Sequence, residues 1–148
     1  MILRRLQKGQ SVIEFALVLP LFLLLVIGLF YVGMVMADYL TLSSIARSSA
    51  REAAIISSEN DYKDNYKKIR EKYKTEKLPL DIFEWKATDK KNFTINYDKN
   101  SHNVKVTMKA DLNTTGSRLG NIVNKLAGGT KLAKLDITYS MYSEYTPK

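Results

Sequence analysis

The chain has 148 residues, a formal net charge of +8, no cysteine and a single histidine. This composition excludes disulfide frameworks, thiolate nucleophiles and cysteine-ligated zinc. The excess of basic residues suits a protein that works near an anionic membrane or wall surface, but it identifies no partner by itself.

Residues 1–37 combine a short basic leader with an apolar run. Three basic residues and no acid precede Gly9, and residues 15–37 carry no charge. At about 1.5 Å per residue that run forms a helix of roughly 35 Å, which is enough to cross a hydrocarbon core of about 30 Å. It is longer than the apolar region of a cleavable secretory signal, which has about 7–15 residues. The basic leader predicts a cytoplasmic N-terminus and an extracytoplasmic remainder.

Glu14 is a carboxylate at the entry of this span. A carboxylate at the centre of a membrane helix costs about 2.5–3.5 kcal/mol, and less near the interface, so its presence suggests a function. If the chain is cut after Gly9, Glu14 becomes the fifth residue, about one helical turn from a new α-amino group on Gln10 that is largely protonated at neutral pH. We therefore expect Glu14 to pair with the amine of a neighbouring subunit and to set the axial register between subunits.

The residues from Gly9 to Leu21 read Gly-Gln-Ser-Val-Ile-Glu-Phe-Ala-Leu-Val-Leu-Pro-Leu and resemble the start of TadE-like proteins. These are minor pilins or pseudopilins of the tight-adherence (Tad or Flp) type IV pilus systems. The similarity continues into the Arg- and Ala-rich segment 45–54, where Ser48 and Ser49 stand in place of the family's more usual alanine. The resemblance implies cleavage after Gly9 by a prepilin peptidase, followed by handover to other pilins and the pilus assembly platform.

Three further features of the span bear on assembly. Phe15 follows Glu14 directly, and the pair forms the predicted register site. Pro20 removes a backbone hydrogen bond, which membrane helices tolerate, and together with the resemblance it predicts a helix kink. Gly33 and Ala37 form a small-xxx-small pair that would let another helix approach closely, although such pairs are common by chance.

The helix is predicted to continue beyond the span as a packing surface. Apolar residues recur there at three- and four-residue spacing: Tyr39, Leu42, Ile45, Ala46, Ala50, Ala53 and Ile56. Arg47 and Arg51 lie four residues apart and repel each other unless an acidic side chain or a phosphate pairs with them. Two interpretations of the arginine pair stay open, a solvated face or a contact with an acid of another subunit.

A second helix is predicted after Ser58, with a capping signal at its start and Pro79 at its end. Its one face carries Tyr62, Tyr66, Ile69 and Tyr73, among several lysines. Basic grooves with stacking aromatics bind single-stranded nucleic acid. The favoured interpretation is nevertheless the buried side of an amphipathic helix, with nucleic-acid binding as the minor alternative.

The rest of the sequence alternates as strands do, with one more helix. Strands are predicted at Asp81–Ala87, Phe93–Tyr97, Val104–Ala110 and Lys134–Tyr142, the middle two forming a hairpin. A short helix is predicted from Ser117 to a glycine cap at Gly128-Gly129, with Leu119, Ile122, Val123 and Leu126 facing inward. His102 lies in the polar hairpin loop and is interpreted as a solvated turn residue. With no catalytic constellation or phosphate loop, the sequence predicts neither an enzyme nor a metal, cofactor or small-molecule substrate.

The predicted fold is α+β, a long N-terminal transmembrane helix extending into a small extracytoplasmic head with a three- to four-stranded antiparallel sheet and short helices. The predicted domains are a cleavable leader (1–9), the helix (10–57) and the head (58–148).

The favoured function is a minor pilin or pseudopilin, anchored once in the cytoplasmic membrane and assembled at the base or tip of an adhesive Tad pilus. The alternatives are an uncleaved, signal-anchored surface protein that binds polyanions, and a competence or secretion pseudopilin. They differ at Gly9, because only a pilin-like protein is processed there.

Overall fold

The computed structural model describes residues 3–56, 62–126, 129 and 134–143, without the side chains of residues 3–9, 62, 119, 123 and 126. In chain order the elements are α1 (Leu3–Ile55), α2 (Tyr62–Lys72), β1 (Phe83–Glu84), β2 (Phe93–Asp98), β3 (Asn103–Leu112), α3 (Arg118–Leu126) and β4 (Lys134–Tyr142). The four strands form one antiparallel sheet. The predicted α+β class, with a long N-terminal helix and short helices, is therefore confirmed.

The chain divides into two compact units, Met1–Val35 and Met36–Lys148. The first unit is the N-terminal part of α1, and from Gln10 to Val35 none of its side chains is buried. The second unit begins inside α1 and holds all the other elements. The last residues of the uncharged run, Met36 and Ala37, thus belong to the unit that contains the sheet.

The sheet is built around β3, the longest strand. Asp111 of β3 faces Glu84 of β1 and Lys134 of β4, so these two strands lie on opposite edges of β3. β2 pairs along the same edge as β1. Alternate residues of β3 are buried, namely Val104, Val106, Met108, Ala110 and Leu112. The other face is polar and carries cross-strand ion pairs between Lys109 and Asp136 (3.3 Å) and between Lys134 and Asp111 (3.7 Å).

The part of α1 beyond Ala37 supplies one wall of the core. Its buried apolar residues are Leu42, Ile45, Ala46, Ala50, Ala53 and Ala54. Small side chains on this face let a helix approach its packing partner closely, because little volume separates the backbones. The predicted packing stripe is confirmed at Leu42, Ile45, Ala46, Ala50 and Ala53. It is wrong at Tyr39, which is 38% exposed, because the buried face of the helix starts at Asp38 instead.

The second helix packs as the favoured interpretation predicted at Tyr66 and Ile69, while the side chain of Tyr62 lies outside the described set. Tyr66 and Ile69 are buried, and the ring of Tyr73 meets Phe93 of β2 edge to face at 6.4 Å between centroids. The helix ends at Lys72, seven residues before the predicted stop at Pro79. A turn at residues 73–75 follows the end of the helix directly. In this turn the N–H of Lys74 donates to the carbonyl of Glu71 at 3.0 Å.

The later elements largely follow the predictions. β4 has the predicted bounds, the β2–β3 hairpin is present, and His102 is exposed in its loop, where its Nδ1 lies 3.0 Å from the Tyr97 hydroxyl. Gly129 has φ +77° and donates to the carbonyl of Asn124, as expected of a helix cap. Gly128 and the capping residues Ser58 and Asp61 lie outside the described residues.

Two further predictions were wrong. The first strand, predicted at Asp81–Ala87, is reduced to Phe83–Glu84, and at its start the Asp38 carboxylate accepts the N–H groups of Ile82 and Phe83 that a longer strand would have paired with a neighbouring strand. In α3, Ile122 is 55% exposed instead of facing inward. The side chains of the other residues predicted to face inward on α3 lie outside the described set.

Candidate membrane and assembly sites on the N-terminal helix

The N-terminal half of α1 carries the feature that a membrane requires. One helix in the described part of the chain, spanning Gln10–Ile55, is long and apolar enough to cross a bilayer, and its most apolar stretch is entirely unburied. Exposed side chains there include Leu17, Leu21, Leu24, Ile27, Leu29 and Phe30. An exposed apolar surface of this extent is far larger than monomeric soluble proteins carry. It indicates single-pass membrane anchoring.

The predicted cleavage and register residues follow one another on this helix. Gly9 and Gln10 lie inside α1, so the peptide bond between them is in helical conformation. Glu14 and Phe15 are both exposed, one turn further along. The side-chain amide of Gln10 donates to the Glu14 carboxylate at 3.3 Å. Among the residues that the structure describes, Glu14 therefore has only a long, exposed hydrogen bond from its own helix, which a stronger cationic partner could replace.

Pro20 and two glycines occupy the middle of the exposed stretch. Pro20 lies inside α1, and the kink predicted there stays a prediction. A Cβ atom added to Gly28 or Gly33 would meet nothing within 4 Å. The space beside both glycines is thus open to another helix or to lipid.

Arg47 contacts the sheet of its own chain. Its Nε and Nη2 lie 3.2 and 2.6 Å from the Tyr139 hydroxyl on β4, and its guanidinium carbon lies 5.2 Å from the centre of that ring. The hydrogen bond from Arg47, with a second one from Ser43, lowers the pKa of Tyr139. Arg47 therefore ties α1 to β4 within one chain.

Arg51 differs from Arg47 in having no such tie. Within the described parts of the chain it has no hydrogen bond or ion pair. It lines an open groove of about 500 Å³ together with Ser48, Glu52 and Lys72. Glu52 is already engaged by Lys72 of α2 at 2.9 Å, a bond that raises the pKa of Lys72. Of the two predicted intersubunit arginines, Arg51 is thus the one without a hydrogen-bond partner among the described residues.

The second helix offers little of the stacking surface that nucleic-acid binding needs. Tyr66 is 4% exposed and packs inside the second unit, while Tyr73 is partly covered by Phe93. Bases stack on aromatic faces that solvent can reach. The basic residues of α2 therefore form a solvated surface beside a buried aromatic face.

Asp38 is the structural residue that the sequence interpretation missed. It is fully buried, and its carboxylate accepts hydrogen bonds from the backbone N–H groups of Leu80 (3.1 Å), Ile82 (3.2 Å) and Phe83 (3.4 Å). Asp81, between these donors, has φ +55°, which curls the segment around the carboxylate. Peptide donors of this kind make the burial of a carboxylate tolerable, since its lone pairs stay satisfied.

A signal for Asp38 was present in the sequence. It stands four residues before Leu42 and therefore on the same helical row as Leu42, Ala46, Ala50 and Ala54. A charged residue that opens an otherwise apolar row must be buried with partners or must end the row. The partners, however, come from residues more than 40 positions away, and local patterns do not identify them.

Comparison with known proteins bears on this same helix. No curated protein and no solved structure matches the chain. A family model described as TadE-like protein matches residues 9–51, a segment that includes Glu14, the apolar run and both arginines. This match confirms the resemblance predicted from the sequence and indicates a Tad pilus-associated protein.

Proposed function

We propose that this chain is a structural minor pilin or pseudopilin of a Tad-type pilus, processed after Gly9 and assembled through its N-terminal helix. The observation that carries the proposal is the exposed apolar helix with Glu14 at its entry, inside the segment that matches TadE-like proteins. Such a helix can pack beside identical or related helices as well as it packs against lipid. The role is structural and not enzymatic, and the partners are a prepilin peptidase, other pilins and the assembly platform.

Glu14 gives the packing a direction that apolar contacts lack. Apolar side chains bury equally well at many axial offsets, because the hydrophobic effect is non-directional. A carboxylate that meets the free amine of a neighbouring Gln10 favours one offset. Processing is therefore a requirement for assembly, since the amine exists only after the bond following Gly9 is cut.

Processing is tested by N-terminal sequencing of the mature protein. We expect it to start at Gln10, and we expect Gly9→Leu to keep its leader, because a bulky side chain would obstruct access to the bond. Gly33→Leu is the matched control, since it adds the same side chain on the same helix where nothing lies within 4 Å. Normal maturation of Gly9→Leu would refute this site, and a mature protein that still begins at Met1 would favour the uncleaved surface anchor.

Assembly is tested by Glu14→Ala and Glu14→Gln. We expect both variants to insert and to be cleaved, because neither changes the glycine and loss of a carboxylate eases insertion. Incorporation into pili and copurification with other pilins should fall sharply for Glu14→Ala and by an intermediate amount for Glu14→Gln, which keeps the hydrogen bonding without the charge.

Glu52→Ala is the matched control for Glu14, since it removes an exposed carboxylate of the same helix outside the apolar run. It should leave pilus assembly unchanged. Wild-type levels of pili in both Glu14 variants would remove the main physical argument for a pilin. Digestion of residues 36–148 by protease added to intact cells would support the proposed orientation, and protection there would contradict it.

A further inference from the structure

The sheet has a free edge along β2. β2 pairs with β3 on one side, and no other strand among the described residues pairs with it. The N–H of Lys109 donates to the carbonyl of Asn92, the residue that precedes β2, at 2.8 Å. Hydrogen-bonded and non-hydrogen-bonded pairs alternate along an antiparallel ladder. The register therefore directs the peptide groups of Thr94 and Asn96 towards β3 as well.

The peptide groups of the alternate residues point to the free edge. Phe93 shows this direction, because its N–H donates away from β3, to the carbonyl of Asp89 at 2.9 Å. Ile95 and Tyr97 follow at the same phase, and in the described chain their N–H and C=O groups have no hydrogen-bond partner. They present donors and acceptors in a row, which is the pattern that an added strand pairs with.

A groove of about 710 Å³ lies beside this edge. Its lining combines residues 93–97 of β2 with residues of α2 between Lys63 and Glu71. Tyr66, Phe93 and Ile95 are buried members of that lining, so the groove has an apolar floor. At about 3.3 Å per residue, five strand residues extend over about 17 Å. An extended chain of about five residues can therefore lie along β2, as peptides do in domains that bind them by strand addition.

The charged side chains around the groove are mostly basic. The lining contains Lys63, Lys67, Arg70 and Lys90 against Asp64 and Glu71. Within the described segments, Lys67, Arg70 and Lys90 form no ion pair. Lys67 and Arg70 are three residues apart and share one face of α2. This charge distribution attracts carboxylates and repels basic segments.

We propose that the groove between α2 and β2 binds an extended acidic segment of another polypeptide, which adds to the sheet as a strand beside β2. Its backbone pairs with Ile95 and Tyr97. Successive side chains of a strand point to opposite faces, so acidic residues at every second position reach Lys67, Arg70 and Lys90 together. This inference rests on the second unit alone and holds whether or not the chain is processed or enters a pilus.

Amide hydrogen exchange, followed by NMR on the full-length protein in detergent micelles, tests the backbone pairing. The probe is the peptide acetyl-Val-Glu-Val-Glu-Val-Glu-amide, and the control peptide has lysine in place of each glutamate. We expect the acidic peptide at saturation to slow exchange of the Ile95 and Tyr97 amides by about tenfold or more, and the lysine peptide to leave it unchanged. Thr94 and Asn96 are internal controls, because β3 already binds their N–H groups.

The charge contribution is tested by substitutions on α2. Lys67→Gln and Arg70→Gln should each weaken binding of the acidic peptide about two- to fivefold, which is the effect of one exposed ion pair. Lys68→Gln is the matched control, since Lys68 is exposed on the same helix but does not line the groove. It should leave the affinity unchanged.

The outward N–H of Tyr97 is tested by Tyr97→Pro. Edge strands tolerate proline where the missing N–H does not face the neighbouring strand, so the variant should fold and lose most of its peptide binding. Tyr97→Ala also removes the ring but keeps the N–H, and it should retain binding. Unfolding curves of both variants establish that the second unit is intact.

Three results would overturn the inference. The first is unchanged exchange at Ile95 and Tyr97 in the presence of millimolar acidic peptide. The second is equal binding of the acidic and the lysine peptides. The third is slow exchange of these two amides in the protein without peptide, which would show that the edge is already covered. Protection that grows with protein concentration would then identify a second copy as the occupant, and constant protection a segment of the same chain.

Discussion

The two stretches of α1, before and after residue 36, use their side chains in opposite ways. In the first stretch no described side chain is buried, and even two glycines have open space around them. In the second, alanines are buried to within a few per cent and a carboxylate is placed against three peptide groups. The first stretch requires only that its side chains be apolar and form a helix, whereas the second requires particular side chains at particular positions. Substitutions should therefore act on different properties in the two stretches.

The largest effect on folding should come from Asp38→Ala. It leaves the N–H groups of Leu80, Ile82 and Phe83 without their acceptor in the core, and we expect the second unit to lose about 3–5 kcal/mol of unfolding free energy. Asp38→Asn keeps one acceptor oxygen and should lose roughly half as much. Chemical denaturation in detergent measures both values.

Leu40→Ala is the control for Asp38→Ala, because Leu40 is 56% exposed two residues further along the same helix. It should change the unfolding free energy by less than about 0.5 kcal/mol. Equal losses of unfolding free energy in the two variants would show that the three hydrogen bonds to the Asp38 carboxylate do not stabilise the second unit.

An intermediate effect is expected from one added methyl group at Gly120. Gly120→Ala forces its Cβ against the backbone oxygen of Asn113, and overpacking of this kind costs about 1–3 kcal/mol, occasionally more. Gly28→Ala adds the same atoms in the first stretch, where nothing lies within 4 Å, and should leave the unfolding of the second unit unchanged. Comparable losses for the two glycines would contradict the contrast drawn between the stretches.

The smallest effect concerns Tyr139, at the exposed margin of the second unit. The hydrogen bond from Arg47 lowers the pKa of Tyr139, so over the pH range between its folded pKa and the ordinary tyrosine value the folded state binds fewer protons than the unfolded state. The interaction should therefore strengthen as pH rises through that range and be fully developed above it.

Ultraviolet titration of tyrosinate measures this shift, because ionised tyrosine absorbs differently from the neutral form. The early-ionising fraction should shrink in Arg47→Gln, in which only the weaker contribution of Ser43 to the lowered pKa remains. It should persist in Arg51→Gln, which removes the other arginine of the same helix face, one turn away. An unchanged titration in Arg47→Gln would mean that this arginine does not bind Tyr139 in solution.

Local patterns predicted much of the fold because they are set by neighbours in sequence. The alternation in Lys134–Tyr142 gave the bounds of β4, and three- and four-residue spacing placed Leu42, Ala46 and Ala50 in the core. The predictions that were wrong depend on distant partners. The strand expected from Asp81 is shortened at its start, where Asp38 binds its backbone, and Ile122 is exposed because the approach of Gly120 to Asn113 fixes the orientation of α3.

The candidate site divides in the same way. Glu14 could be predicted as a site residue from the sequence alone, because a charged residue at the edge of an apolar run is visible without a structure. That Arg47 has a hydrogen-bond partner, whereas Arg51 has none in the described segments of the chain, could not be foreseen, because the partner, Tyr139, is 92 positions away.

The buried helical row that begins at Asp38 and continues through Leu42 also limits where residues can be inserted into α1 or deleted from it. An insertion of one codon after Asp38 would rotate it by about 100° relative to Leu42 and remove it from its partners. An insertion before Asp38 would lengthen only the apolar run, by about 1.5 Å, which a membrane helix absorbs by tilting. The angular position of each packing residue on the helix is therefore fixed from Asp38 onward. The span before Asp38 can gain or lose residues, and its length can follow the thickness of the membrane.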